Sequence, residues 1–188
     1  MNNNKIKKLT GTSIFMALVI VLQLISNYIT LGPVNITLAL IPIALGAIIY
    51  GPLAGLFLGL IHGAIVITAP STSGFLSYSP ALTILVCLLK SGIAGLVSGL
   101  IFKYLKNKHF TLSIILASLC VPIINTGLFA IAMLTLFKPI LVAAANGENI
   151  IIFLFVGFIT YNFLIEFVIN SALTPTIISL TKLKEKIK

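Results

Sequence analysis

The sequence predicts an all-α fold, a polytopic membrane protein of six transmembrane helices with both termini cytoplasmic, and three observations carry that prediction. The 188 residues are 59% hydrophobic and only 8% charged, with a mean hydropathy of +1.20, a balance that water would not hold in solution. The apolar residues recur in six runs spread from Leu9 to Leu180, which leaves room for one membrane domain and no separate soluble one. The net charge of +9 comes from lysine alone: positions 5, 7 and 8, then 103, 106 and 108, then 182, 184, 186 and 188, with Lys90 and Lys138 elsewhere. Each cluster stands at the end of an apolar run, as cytoplasmic boundaries do under the positive-inside rule.

A spanning helix needs about 20 residues at about 1.5 Å each. The first expected helix covers residues 9–29. Its lysine-preceded start resembles a secretory signal, but no small-x-small cleavage site follows at a fitting distance, so it reads as retained. Thr30-Leu31-Gly32-Pro33 breaks it. The second helix, 35–50, is short and carries Pro42, and the third, 52–69, opens with Pro52 at a position where a missing N–H costs nothing. The fourth runs over 80–105, the fifth over 110–137 with Pro122 inside, and the sixth over 149–180 with Pro175 near its end. Such uneven spans predict tilt, kinks or a partly re-entrant second helix. Six crossings place all three lysine clusters on one side, so the loops at 30–34, 70–79 and 138–148 face outward. A solute would arrive from there.

The glycines carry a spacing signal. Gly51, Gly55, Gly59 and Gly63 repeat every fourth residue, as do Ser91, Gly95 and Gly99, and the stretch 53–61 echoes 93–101. Rows of small residues let helices approach closely in lipid.

Several functions are excluded. Nucleic-acid recognition favours arginine and stacking aromatics on an exposed surface, and the chain has no arginine. Cys87 and Cys120 lie in apolar runs without metal-type spacing and read as small buried hydrophobes. There is no phosphate-binding loop, nucleophile elbow or H-E-x-x-H motif, so no enzymatic activity, cofactor or metal is expected. A proton-coupled carrier with Glu166 as its proton site would lack two clear inverted repeats.

Three ionisable residues within the spans need a reason, because each costs roughly 2.5–3.5 kcal/mol near the bilayer centre. They are His62, Lys90 and Glu166. Counting from the lysine anchors, Lys90 lies about 20 Å deep, Glu166 about 24 Å and Asn125 about 25 Å. These converging depths mark a candidate site. Asn162, Glu166 and Asn170 form an i, i+4, i+8 stripe with Tyr161 beside it. The candidate substrate-binding set is Lys90, Asn125, Asn162, Glu166, Tyr161, Asn35, His62 and Tyr78. Two readings stay open: Lys90 and Glu166 hydrogen-bond a polar or carboxylated solute, or they pair with each other to fix helix register. His62 reads more readily as a satisfied interior histidine.

The full chain resembles the substrate-binding S component of energy-coupling factor (ECF) transporters, the vitamin importers of bacteria. The stretches that carry the resemblance are Ser13-Ile-Phe-Met-Ala17, Ile41-Pro42 followed by Tyr50-Gly51-Pro52-Leu-Ala-Gly55, Leu89-Lys90-Ser-Gly92, and Asn162-Phe-Leu-Ile-Glu166 with Asn170. The resemblance implies that Ser13 and Ala17 contact a transmembrane T subunit, with Ser13 replacing the usual alanine. It also implies that two ATPase subunits drive import and that the chain topples in the membrane with its vitamin bound. Leu-Lys-Ser-Gly and the Asn-Thr-Gly127 turn resemble the pantothenate branch, where a buried lysine suits a carboxylate. Riboflavin and hydroxymethylpyrimidine carriers share much of the pattern, although the chain has no tryptophan and its outer half offers only Tyr28, Tyr78 and Tyr161 with a few phenylalanines to stack a flavin. A membrane scaffold with polar residues that merely pack helices is the reading outside transport.

Overall fold

Proline and glycine mark most of the places where this chain stops being helical, because neither continues a helix without cost. The computed structural model describes residues 3–31 and 34–186, with the side chains of 3, 4, 30, 31, 34, 35, 157, 158, 161, 162 and 184–186 outside that description. Helix α1 (Asn3–Ser26) leads into a hairpin of two short strands, β1 (Thr30–Leu31) and β2 (Val34–Asn35), paired antiparallel with Thr30 opposite Asn35. Helix α2 (Leu40–Tyr50) ends at Gly51, whose φ of 96° is one that side-chain-bearing residues rarely adopt, and Pro52 opens α3 (Pro52–Val66). A 3-10 turn (Pro70–Thr72) and α4 (Ser73–Tyr78) connect to the long helices α5 (Pro80–Leu105) and α6 (Phe110–Thr135).

After α6 comes α7 (Lys138–Ala145), stopped by Asn146 in the left-handed region and by Gly147 at φ 93°. A single turn, α8 (Ile150–Ile152), starts under a cap in which Asn149 Oδ1 accepts the Ile151 N–H at 2.9 Å. It continues as a π-helical stretch (Phe153–Ile159) into α9 (Thr160–Lys186).

Four stretches are long and apolar enough to cross a membrane by themselves: Lys5–Ser26, Pro80–Leu105, Phe110–Thr135 and Phe163–Leu183. Two bent pairs, Pro52–Val66 with Pro70–Tyr78 (79°) and Lys138–Ala145 with Ile150–Val156 (99°), raise the number to six if each is one span. The second expected helix differs most from what is seen. It begins at Leu40 rather than 35, and its 11 residues extend only about 16 Å. The residues before it are engaged elsewhere: β2 pairs with β1, the Thr37 N–H donates to Glu166 Oε1 at 3.2 Å, and the Leu38 N–H donates to Ser26 Oγ at 3.1 Å. The β1–β2 pairing holds residues 34 and 35 extended, and the Thr37 and Leu38 N–H groups, which have no preceding helical carbonyl to serve them, are taken by side chains. The loops expected at 70–79 and 138–148 are likewise largely helical, in α4 and α7.

Helix α2 is the axis of the bundle. Apolar on every side, it packs against α1, α3, α5, α6 and α9. Around it lie two apolar tiers, one built on Val19, Leu40, Ile43, Leu58, Ala94 and Val121, the other on Leu45, Ile48, Phe102, Ile114 and Ile177. A third tier, with Val86, Met133, Phe137, Leu141, Leu154 and Ile159, closes the opposite end.

The glycine rows become a seam between α3 and α5. A Cβ on Gly55 would run into the Gly95 carbonyl, one on Gly59 into the Ser91 carbonyl, and one on Gly63 into the Cys87 carbonyl. The echoing stretches are thus the two sides of one contact. Large apolar side chains face outward on every long helix, among them Leu18, Val21, Leu85, Leu116, Ile131, Leu164 and Val168, which is the arrangement lipid requires.

Candidate functional site

The cavity lies between the middle tier and the third one. It leaves about 100 Å³ for the centres of water-sized molecules. On α5, Thr83, Val86, Cys87 and Lys90 line it at i, i+3, i+4 and i+7, one continuous face. Helix α6 contributes Asn125, Thr126 and Phe129, α1 contributes Gln23, and the segment before α2 contributes Thr37. The 3-10 turn with α4 roofs it through Ser71, Thr72 and Phe75, and Phe137 and Ile159 complete the wall. Phe75 meets Phe129 and Phe137 edge-on, at 6.1 and 5.1 Å between ring centres, so the roof is an aromatic cluster.

Among the described residues that line this cavity, Lys90 is the only charged one. Its Nζ lies 5.2 Å from the centre of the Phe129 ring, a cation–π contact. Asn125, 4% exposed, accepts a hydrogen bond at Oδ1 from Ser91 Oγ at 3.2 Å, and Ser91 Oγ stands 2.8 Å from His62 Nδ1. Gln23 donates to Asn27 Oδ1 at 2.8 Å, while Gln23 Oε1 and Thr126 Oγ1 are buried without a hydrogen-bond partner among the described residues. Buried polar atoms of this kind cost free energy unless something supplies the missing bond. A ligand in the cavity would do so.

The sequence-derived candidates separate into groups. Lys90 and Asn125 share the cavity wall. Glu166 is fully buried and accepts the Thr37 N–H shortly before the start of α2. Asn170 donates to the Glu166 backbone carbonyl at 2.9 Å and is equally buried, so this face of α9 points into the bundle. His62, 1% exposed, reaches the cavity only through Ser91. Tyr78 is 47% exposed and touches Phe137 from outside, at 6.3 Å between ring centres. The side chains of Asn35, Tyr161 and Asn162 lie outside the described residues. Ser13 and Ala17 lie on the exposed face of α1, remote from the cavity wall.

Gln23, Thr37, Thr72, Thr83 and Thr126 were not among the candidates. Gln23 had a sequence signal, since Gln23 and Asn27 stand four apart inside an apolar run. The threonines had none, because a threonine can satisfy its hydroxyl on its own helix and so passes unnoticed among apolar residues.

Fold and cavity together define a multi-pass membrane protein with a small-molecule chamber inside its helix bundle. The chain belongs to the family of substrate-specific components of ECF transporters, whose model matches residues 7–178. Its apolar helices fit the multi-pass place in the bacterial cell membrane that this transporter family occupies. A curated relative, the "Pantothenate transporter PanT" of Leuconostoc mesenteroides subsp. mesenteroides, is 32% identical over 121 residues, a match that spans 58% of this chain and 58% of that protein. No solved structure matches the chain significantly.

Proposed function

We propose that this chain is the high-affinity binding subunit of an ATP-driven vitamin importer, that its ligand is pantothenate, and that it acts as a single six-helix unit with both termini cytoplasmic. The observation that carries the reading is the cavity's charge: one ammonium and no carboxylate among the described lining residues, amid hydroxyls, amides and apolar walls. Such a lining suits a small acid bearing hydroxyl and amide groups. The relative's name points to the same class. Import further requires a T subunit, met at Ser13 and Ala17, and two ATPases, since the chain has no nucleotide-binding loop of its own.

Thermal unfolding of the detergent-purified chain against a panel of vitamins tests this. A ligand at a hundred times its dissociation constant adds about 2.7 kcal/mol of stability. The expected outcome is a shift with pantothenate that Lys90→Ala reduces by weakening binding about tenfold or more. A shift with riboflavin or a pyrimidine instead would reassign the cargo, and no shift with any vitamin would favour a scaffold.

A further inference from the structure

The contact His62–Ser91–Asn125 connects three helices and ends at the cavity, and its direction decides what the cavity offers a ligand. A serine hydroxyl has one hydrogen to give. Two arrangements therefore satisfy the observed spacings of 2.8 Å and 3.2 Å. In the first, His62 Nδ1–H donates to Ser91 Oγ, Ser91 O–H donates to Asn125 Oδ1, and the Asn125 NH₂ is left for the cavity. In the second, the asparagine amide is turned over, Nδ2 donates to Ser91, Ser91 donates to a bare Nδ1, and the imidazole carries its hydrogen on Nε2.

His62 Nε2 decides between them. It is buried and makes no hydrogen bond among the described residues. The second arrangement would leave an N–H donor there without an acceptor, and a ring carrying both hydrogens would do the same. The first leaves only an unused lone pair, a deficit that folded proteins tolerate more readily than an orphaned N–H. With Oδ1 turned to Ser91, the Asn125 NH₂ makes no hydrogen bond among the described residues, and the residue lines the cavity. Lys90 precedes Ser91 in the chain, and its ammonium lies over Phe129, one turn along α6 from Asn125.

Resting on the reading of this cavity as the vitamin site, we propose that the His62–Ser91–Asn125 chain is polarised outward and aims the Asn125 amide hydrogens into the cavity beside Lys90, the two forming a corner that receives the ligand's carboxylate. His62 and Ser91 are positioning residues that act through Asn125. The test begins with ¹⁵N spectra of the histidine-labelled full chain in nanodiscs, with His109→Gln leaving a single imidazole. A hydrogen on Nδ1 and a bare Nε2 are expected, with or without ligand; a hydrogen on Nε2 overturns the polarity even if pantothenate binds.

Binding assays supply the second arm. His62→Asn, whose amide N–H can replace Nδ1–H, should retain pantothenate affinity within about threefold, whereas His62→Leu and Ser91→Ala should weaken it about tenfold. Equal affinity in all three overturns the positioning role. Asn125→Asp should weaken pantothenate about a hundredfold and weaken much less its alcohol analogue, in which CH₂OH replaces the carboxylate. Equal losses would overturn the carboxylate corner. Should the unmodified chain bind neither ligand, the vitamin reading falls with the corner, while the imidazole spectrum still reports the direction of the chain.

Discussion

Glu166 is fully buried in the bundle, and one of its carboxyl oxygens accepts the Thr37 N–H at 3.2 Å. Its depth and its stripe with Asn170 were visible in the spacing, and both residues do face the bundle interior. Its partner was not visible, because the Thr37 N–H belongs to a segment 129 residues away that leaves helical geometry only in the folded chain. Lys90 lies over the Phe129 ring, on the cavity wall. The contact predicts a division between substitutions. Glu166→Gln keeps an oxygen to accept the Thr37 N–H and should leave the melting temperature of the ligand-free chain nearly unchanged. Glu166→Ala leaves that donor buried and should lower stability by about 1–3 kcal/mol, read in the same thermal scan. Equal effects would show that Thr37 does not depend on this bond. At this scale, legibility follows chemical rarity: one lysine in an apolar run is conspicuous, and the threonines at 37, 72, 83 and 126 are not.

Among elements, the close packing of α3 on α5 could be anticipated from glycines at every fourth position, since that spacing places them on one helix face. What could not be read was that the two echoing stretches meet each other. Contact partners are a property of the assembled bundle, and a row of small residues does not name its mate. The seam also carries Ser91, whose carbonyl is what a Cβ on Gly59 would strike. Gly59→Val should therefore push α5 away, destabilise the chain by about 1–3 kcal/mol and weaken ligand binding through displaced Ser91 and Asn125. Gly74→Ala, where a Cβ meets nothing within 4 Å, is the control and should leave the helix unchanged in both thermal stability and affinity. The late start of α2 has a comparable origin: the pairing of β2 with β1, which holds residues 34 and 35 extended, is a property of the folded chain.

Viewed as a whole, the molecule separates its faces by chemistry. Lys106 lies over Phe102 at the tier where that ring packs on Phe110, whereas the cavity sits under the 3-10 turn and α4. The class of protein was legible from composition and charge placement, because lipid imposes its demands on the entire sequence at once. The proposed T-subunit contact at Ser13 and Ala17 lies on α1, the helix with the smallest buried share of the four long spans. Replacing both by leucine should leave pantothenate binding to the isolated chain intact and abolish ATP-driven uptake when the partner subunits are present. Loss of binding in that variant would move the contact's role from assembly to folding.

The short helix at the centre has one more consequence. Because α2 stands on the axis, its Leu40, Ile43, Leu45 and Ile48 are buried in the two apolar tiers around it, and none of the four lines the chamber. The protein should therefore behave as an electrical insulator. Inserted alone into a planar bilayer under voltage, it should pass no ionic current above the bare membrane, with or without vitamin.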